Sequence, residues 1–202
     1  MLEPKVFLVD DDSAVRDALS MLINSVGLNV ITFNHPQKFL DAYNPKQVGC
    51  LILDIRMPGI NGLSVQEILN RNGNQIPIIF ITGHGDVSLC SNAFKAGASD
   101  FLTKPIDEHQ LLGSIQKAIQ QNISYHQKSS ETQEIQNKID NLTQREREVM
   151  SLVVEGFPNK IISKNLGIST RTVETHRASL FEKLEVNSLA ELVKLQFTIT
   201  PL

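Results

Sequence analysis

Short apolar runs that alternate with amphipathic helical patterns constrain the fold of this chain more than any other feature. The apolar runs lie at residues 5–9, 29–33, 50–55, 76–82 and 99–103. The third and fourth runs, "CLILDI" and "IPIIFIT", are almost continuously apolar, as parallel strands buried on both faces are. Helical patterns follow the runs, at residues 13–26, 36–43, 61–71, 86–96 and from 107 onward. The alternation predicts an α/β flavodoxin-like fold, a five-stranded parallel sheet with five helices on its two faces.

The first helical pattern carries boundary signals at both ends. Ser13 is predicted to be its N-cap, and Gly27 is predicted to stop it. We expect one apolar face to pack on the sheet, formed by Val15, Leu19, Leu22, Ile23 and Val26.

The stretch "VFLVDDDSAVR" runs an apolar strand directly into Asp10, Asp11 and Asp12. Like charges about 4 Å apart near a protein surface repel by roughly 4 kcal/mol, so a positive group is expected beside them. Further polar residues stand at or after the ends of other predicted strands, namely Asp54, Thr82 and Lys104. All should meet at one edge of the sheet. Carboxylates in this arrangement suit Mg²⁺, and the hydroxyl and ammonium groups would face an anion that the metal recruits.

Four motifs at these strand ends, taken in order, resemble the receiver domains of two-component response regulators. They are "VDD" (9–11), "DIRMPGINGL" (54–63), "ITGHGDV" (81–87) and "FLTKP" (101–105), and the resemblance covers about the first 120 residues. It implies that Asp54 is phosphorylated and that Asp10 and Asp11 bind Mg²⁺, with Asp54 and the backbone carbonyl of Arg56 as further ligands. Thr82 and Lys104 would contact the phosphoryl oxygens.

The resemblance also implies a switch. Thr82 would move towards the phosphoryl group, Phe101 would rotate inward, and the face around the fifth strand and its flanking helices (86–96 and 107 onward) would dimerise. A plain core role for Phe101 is the alternative. We interpret Asp12 as a solvated or helix-capping carboxylate. Gly59 and Gly62 are expected to allow tight turns, and the Lys104–Pro105 bond is a candidate cis peptide.

The stretch from 123 to 141 is polar and sparse in apolar residues, and it separates two organised regions. It lacks glycine and proline, so a partial helix or weak coiled coil and a flexible segment both remain open. We assign residues 1–122 to the receiver, 123–141 to a linker and 142–202 to a second domain.

The second domain is predicted to be all-α, with four helices at 144–155, 158–165, 170–184 and 188–197. In its second helix, "NKIISKNL", the residues Ile161, Ile162 and Leu166 are expected to point inward. Ser169 should cap the third helix, whose buried face carries Val173, Leu180 and Leu184. Residues 142–184 resemble the helix-turn-helix of the LuxR, or NarL/FixJ, class of transcription factors, and "ITGHGDV" and "GFPNKIISKNLGIS" are similar to the FixJ-like group.

The outer face of the third helix is the candidate DNA-binding surface. Base contacts are assigned to Glu174, Thr175 and Ala178, because short polar groups on such a helix reach base edges in the major groove. Phosphate or base contacts are assigned to Lys160, Lys164, Arg171 and Arg177. A solvated surface is the alternative for each of these residues. The final helix, with Leu189, Leu192 and Val193 on one side, resembles the family's dimerisation element, so a dimer on a pseudo-palindromic operator is expected.

Composition limits the remaining function classes. The net charge is −3, and only residues 159–183 carry a local excess of basic side chains that would favour a polyanion. Cys50 and Cys90 lack a metal-ligand spacing, and no apolar run is long enough to span a bilayer. We therefore expect a cytoplasmic protein without a membrane partner.

The leading hypothesis is a response regulator that takes a phosphoryl group from a sensor histidine kinase, dimerises, binds double-stranded DNA and regulates transcription, with RNA polymerase as a further candidate partner. It would not be an enzyme with a metabolic reaction of its own. An aspartate-nucleophile phosphatase or phosphotransferase is an alternative, but no Asp-x-Asp signature accompanies Asp54. A non-phosphorylated interaction module is another, and the intact set of acidic, threonine and lysine residues argues against it.

Overall fold

A computed structural model describes residues 3–83 and 93–199. The chain forms two compact units, with the boundary between Gln127 and Lys128. Within the described ranges, no helix is both long enough and apolar enough to cross a membrane.

The first unit is built on a parallel sheet of five strands in the order β2-β1-β3-β4-β5. The strands are β1 (Lys5–Val9), β2 (Asn29–Phe33), β3 (Gly49–Asp54), β4 (Ile78–Thr82) and β5 (Asp100–Thr103). This confirms the flavodoxin-like prediction. The strand order reverses between β1 and β3, and ligands of such sheets bind at the carboxyl ends of the strands beside this reversal.

Helices cover both faces of the sheet. They are α1 (Ser13–Ser25), α2 (Pro36–Ala42), α3 (Gly62–Arg71) and the first part, up to Ile123, of the long α4 (Glu108–Asp140). Residues 93–95 are also helical, and most of the helix predicted at 86–96 lies outside the described residues. The segment at 123–140, whose conformation the sequence left open, continues α4 as helix.

Alternation along the strands produces two apolar layers. In β1, Val6 and Leu8 pack in the layer that contains Ile23 of α1, whereas Phe7 and Val9 pack in the layer that contains Phe39 of α2. Side chains that alternate between two covered faces explain why the central strands are apolar throughout.

Two details predicted for α1 are wrong. The N-cap is Asp12, whose carboxylate accepts a hydrogen bond from the amide of Ala14 at 2.8 Å, and Ser13 is already helical. The capping interpretation of Asp12 is thereby confirmed. Val26 was placed on the buried face but is 50% exposed, because it lies at the C-cap where the helix has ended. Gly27 stops the helix as predicted, with a left-handed φ of 79°.

The second unit contains α5 (Gln144–Val154), α6 (Asn159–Leu166), α7 (Thr170–Leu184) and α8 (Leu189–Ile199). Val173, Leu180 and Leu184 of α7 are buried, as predicted. Ser169 caps α7 by accepting from the amide of Thr172 at 3.1 Å.

One apolar residue of the second unit was placed inward incorrectly. Ile161 is 39% exposed, because α6 turns only Ile162 fully into the core and holds Leu166 at its margin. On α8, where Leu189, Leu192 and Val193 were predicted to share one side, Leu189 is 42% exposed and Leu192 is buried in the core.

Glu146 is a buried carboxylate that sequence analysis did not single out. It forms a capping box with Thr143 at the start of α5. It also accepts hydrogen bonds from Ser179 and Lys183 of α7, both at 2.7 Å. Burial would raise the pKa of this carboxyl, but the bonds from Lys183, Ser179 and Thr143 outweigh burial and lower the pKa to about 2. Glu146 therefore joins α5 to α7 in its ionised form.

Gly62→Ala should destabilise the first unit, whereas Gly113→Ala should stabilise it. A Cβ on Gly62 would lie 2.5 Å from the backbone oxygen of Asp54, but a Cβ on Gly113, in the interior of α4, meets nothing within 4 Å. Gly113→Ala should add up to about 1 kcal/mol to the free energy of unfolding, because alanine has a higher helix propensity than glycine. Urea unfolding followed by near-ultraviolet tyrosine signals reports this unit, because both tyrosines, Tyr43 and Tyr125, lie in it. Equal shifts of the two variants would contradict the close approach at Gly62.

Glu146→Gln should lower the stability of the second unit by about 2 kcal/mol at neutral pH, since a buried hydrogen-bonded charge is lost. The wild-type carboxylate has a lowered pKa, so its stabilisation is present above the unfolded pKa of 4.5 and is lost as the pH falls towards 2. The difference between the two proteins should therefore shrink across that window. Helical circular dichroism during urea unfolding measures it. Glu155→Gln, on an exposed carboxylate after α5, is the control and should show no such window.

Candidate acidic site and nucleic-acid interface

The carboxyl ends of four strands bring the predicted polar residues to one edge of the sheet. Asp10 follows β1, Asp54 and Thr82 end β3 and β4, and Lys104 follows β5. Asp10 and Thr82 are fully buried and Asp54 is 6% exposed, while Asp11 is exposed. The sequence prediction that these groups converge is supported by this placement.

The carboxylates and the ammonium group are in direct contact. Lys104 Nζ lies 2.7 Å from Asp10 Oδ2 and 3.2 Å from Asp54 Oδ2. One oxygen from each of Asp10, Asp11 and Asp54 lies within 4.8 Å of the other two. Lysine is therefore the positive group that the acidic stretch required, and the three carboxylates together form a hard oxygen donor set of the kind that Mg²⁺ prefers.

Backbone contacts hold Asp10 in place. Its Oδ1 accepts a hydrogen bond from the amide of Asp12 at 2.8 Å, and its own amide donates to the carbonyl of Phe33 at 3.2 Å. Arg16 Nη1 donates to the Asp10 carbonyl at 2.7 Å. The carboxylate therefore stands on a fixed backbone where β1 passes into α1.

Hydrogen bonds from backbone amides also hold the loop after β3 in place. The amide of Arg56 donates to Asp54 Oδ1 at 3.3 Å, and the amide of Gly62 donates to the carbonyl of Ile55 at 3.0 Å. Gly59 has a left-handed φ of 82°, which confirms the predicted turn. Across the site, the amide of Lys104 donates to the carbonyl of Thr82 at 2.7 Å, and the Lys104–Pro105 bond is cis as anticipated.

The pKa values of the site reflect burial and charge together. Burial raises the pKa of the Asp54 carboxyl, and the charge of Asp10 raises it further, while Lys104 opposes both. Burial would lower the pKa of the Lys104 ammonium, but the hydrogen bonds and charges of Asp10 and Asp54 outweigh burial and raise it. The lysine therefore stays charged and partly compensates the two buried acids.

The two residues of the predicted switch lie on neighbouring strands. Thr82 is buried at the end of β4, and Phe101 on β5 is paired in register with Phe80. Phe101 is partly buried and packs with the apolar layer that contains Phe80. Its core contacts are those expected of either role considered for it.

The outer face of α7 presents the residues predicted to contact bases. Glu174, Thr175 and Ala178 are all exposed, and so is Arg171. Thr175 Oγ1 donates to the carbonyl of Arg171 at 3.0 Å. On α6, the basic residues Lys160 and Lys164 are likewise exposed.

Arg177 differs from the other basic residues of this surface, because it is partly buried and has partners. Its Nη1 donates to Asn159 Oδ1 at 2.6 Å, and its guanidinium carbon lies 5.9 Å from the centre of the Phe181 ring. Asn159, at the start of α6, was not among the residues predicted from sequence. No local pattern joins it to Arg177, whereas the Thr143 and Glu146 spacing is a capping-box signal that was available.

Comparison with known proteins matches both parts of the chain to described families and the whole chain to known regulators. Residues 6–116 match the model of the response regulator receiver domain, and residues 140–196 match that of the bacterial regulatory proteins of the luxR family. The chain is 42% identical over 189 residues to the response regulator protein TodT of Pseudomonas putida, covering 94% of this chain and 83% of that protein. It is 40% identical over 190 residues to the transcriptional regulatory protein FixJ of Bradyrhizobium diazoefficiens, covering 94% and 93%.

Solved structures agree. The response regulator StyR has a TM-score of 0.89 at 43% identity, covering 96% of this chain and 98% of that one. Full-length FixJ from B. japonicum has a TM-score of 0.59 at 36% identity over the whole of both chains. The chain therefore belongs to the response regulators that join a receiver domain to a LuxR-type DNA-binding domain, and its curated relatives TodT and FixJ are regulatory proteins.

Lys104→Met should raise the pKa of Asp54 further, because the charge that opposes burial is removed. Asp10→Asn should lower the same pKa, because a like charge is removed. Carboxyl carbon chemical shifts followed through a pH titration with a chelator present measure both changes. Asp17→Asn, on an exposed carboxylate of α1, is the control. A shift of the same sign in the Lys104 and Asp10 variants would contradict the contacts described.

Proposed function

We propose that a sensor histidine kinase transfers a phosphoryl group to Asp54 and that the modified protein dimerises and binds an operator to regulate, mainly to activate, transcription. The observation that carries the proposal is the convergence of Asp10, Asp11 and Asp54 on Lys104 at the carboxyl edge of the sheet. Membership of the response regulators supports the kinase and DNA as partners. Because both phosphotransfer and DNA binding take place there, we place the protein in the cytoplasm.

In the transfer, an Asp54 oxygen forms a bond to phosphorus while the bond from phosphorus to the kinase histidine nitrogen breaks. Asp54 must be ionised for this step, and the charge of Lys104, which opposes the effect of burial on the Asp54 pKa, favours that form. Asp10, Asp11, Asp54 and the carbonyl of Arg56 would hold Mg²⁺, which supplies charge neutralisation at the phosphoryl group when bound. Lys104 would exchange its contact with Asp54 for one with a phosphoryl oxygen.

Phosphorylation adds about −1.5 to −2 charge and new acceptor oxygens beside Thr82. We propose that the Thr82 hydroxyl donates to one of these oxygens and that Phe101 moves inward in response. The affected face consists of β5, the first turns of α4 and the helix predicted at 86–96. Dimerisation through this face would bring two DNA-binding domains together.

At the DNA, α7 would lie in the major groove, with Glu174, Thr175 and Ala178 at base edges and the basic residues of α6 and α7 at phosphates or bases. Two copies would read a pseudo-palindromic site, and RNA polymerase is a further candidate partner. We retain the division into a receiver at 1–122, a helical linker at 123–141 and a DNA-binding domain at 142–202. The last helix, α8, would contribute to the dimer.

Asp54→Asn should abolish the response to a small-molecule phosphodonor with Mg²⁺. Wild type should gain one phosphoryl mass on Asp54, shift from monomer to dimer in gel-filtration light scattering and bind selected duplex DNA more tightly. The variant should do none of these. Its control is Asp12→Asn, which keeps the cap of α1 because asparagine is an equally good N-cap, and which should respond as wild type does.

Asp11→Asn separates the metal from the nucleophile. It should slow phosphorylation and weaken Mg²⁺ binding while Asp54 remains in place. If Asp54 becomes modified in wild type but the mass in solution stays that of a monomer, the proposed dimer is wrong. If the modification appears on another residue, the assignment of Asp54 as the phosphoacceptor is wrong.

A further inference from the structure

The proposed function counts Arg177 among the basic residues at the DNA but does not account for the way in which its side chain is held in place. Its guanidinium is held from two sides, by the Asn159 side chain of α6 and by the ring of Phe181 one helical turn further along α7. In the part of the chain that the structure describes, the hydrogen bond to Asn159 is the one polar contact of this group. A guanidinium has five donors, so most of them are left for another acceptor.

The position of Arg177 between Asn159 and Phe181 indicates which acceptor its remaining donors would meet. Arg177 lies three residues after Glu174, so the two are neighbours on the helix surface and Arg177 flanks the candidate base-contact face. The hydrogen bond to Asn159 ties Arg177 to the first residue of α6. In helix-turn-helix proteins the first helix crosses the DNA backbone while the second enters the groove. We therefore expect a guanidinium tethered to the start of the first helix to meet a phosphate rather than a base edge.

We propose that Asn159 and Phe181 are positioning residues that hold Arg177 in advance for a contact with a DNA phosphate. The inference rests on the proposed DNA binding and adds a division of roles to it. Arg177 makes the contact, and its two partners reduce the side-chain freedom that is lost when the contact forms. Pre-ordering of this kind changes affinity without adding or removing a contact.

The salt dependence of binding separates a contact from its positioning. The probe is a duplex selected from a random-sequence pool by the phosphorylated protein, titrated by fluorescence anisotropy at several salt concentrations. Arg177→Gln should make the slope of log affinity against log salt shallower by about 0.9 per half-site, because one phosphate contact is lost. Asn159→Ala should leave the slope unchanged and weaken binding about three- to tenfold, since the guanidinium must then be ordered on binding.

Further variants make the test independent of folding. Asn159→Ala should have no effect in an Arg177→Gln background, a result that a purely structural role for Asn159 would not give. Phe181→Leu keeps an apolar side chain and should behave as Asn159→Ala does. Lys128→Gln removes an equal charge from an exposed linker position and should change neither slope nor affinity.

The outcomes distinguish the inference from the proposed function. An unchanged slope in Arg177→Gln, or an Asn159→Ala effect that persists in the double variant, would overturn the inference while DNA binding stands. Failure of the phosphorylated wild type to select any duplex would overturn both. Thermal unfolding of each variant identifies losses of affinity that come from misfolding, and Phe181→Leu decides the matter if Asn159→Ala is unstable.

Discussion

The contact of Lys104 with Asp10 and Asp54 is the interaction on which the acidic edge of the sheet depends. Parallel strands place their carboxyl ends side by side, so two buried carboxylates are brought together regardless of their mutual repulsion. The ammonium group lies 2.7 Å and 3.2 Å from them, and the lysine side chain is 24% exposed. Removing the lysine would leave two buried carboxylates without compensation, and breaking a buried ion pair in this way typically costs about 3–5 kcal/mol. Lys104 compensates only one of the three carboxylate charges of the site, so the site keeps a net negative charge that favours binding of a further cation.

This dependence connects the chemistry of the site to the rest of the first unit. The amide of Lys104 is bonded to the carbonyl of Thr82, so the ends of β4 and β5 are joined just beneath the charged groups. Under the proposed function, a phosphoryl group on Asp54 would draw the Lys104 ammonium and the Thr82 hydroxyl towards the same new oxygens. Both movements would start on strands that also carry Phe80 and Phe101 in register. A local change of charge would thus act directly on the packing between the two strands.

The sequence was most informative where periodicity and burial agree. Strands covered on both faces must be apolar, so their positions and the residues at their ends could be predicted, as the placement of Asp54 shows. Prediction failed where two neighbouring residues suit the same position, since Asp12 and Ser13 are both good N-caps and the structure uses Asp12. It also failed at Ile161, because the short α6 offers the core a narrower apolar stripe than its sequence contains. Glu146 looked like one more surface charge, since its contacts with Ser179 and Lys183 lie more than thirty residues away.

The same long-range contacts change how the charge of the DNA-binding domain should be counted. Five basic residues lie between 159 and 183, namely Lys160, Lys164, Arg171, Arg177 and Lys183. The ammonium of Lys183 is paired with the buried Glu146 and so serves the packing of α5 on α7. One N–H group of Arg177 donates to the side-chain oxygen of Asn159. Lys160, Lys164 and Arg171 are exposed and form no ion pair within the described ranges. A count of basic residues therefore overstates the number of groups that are free to bind DNA, because Lys183 and part of Arg177 serve contacts within the domain.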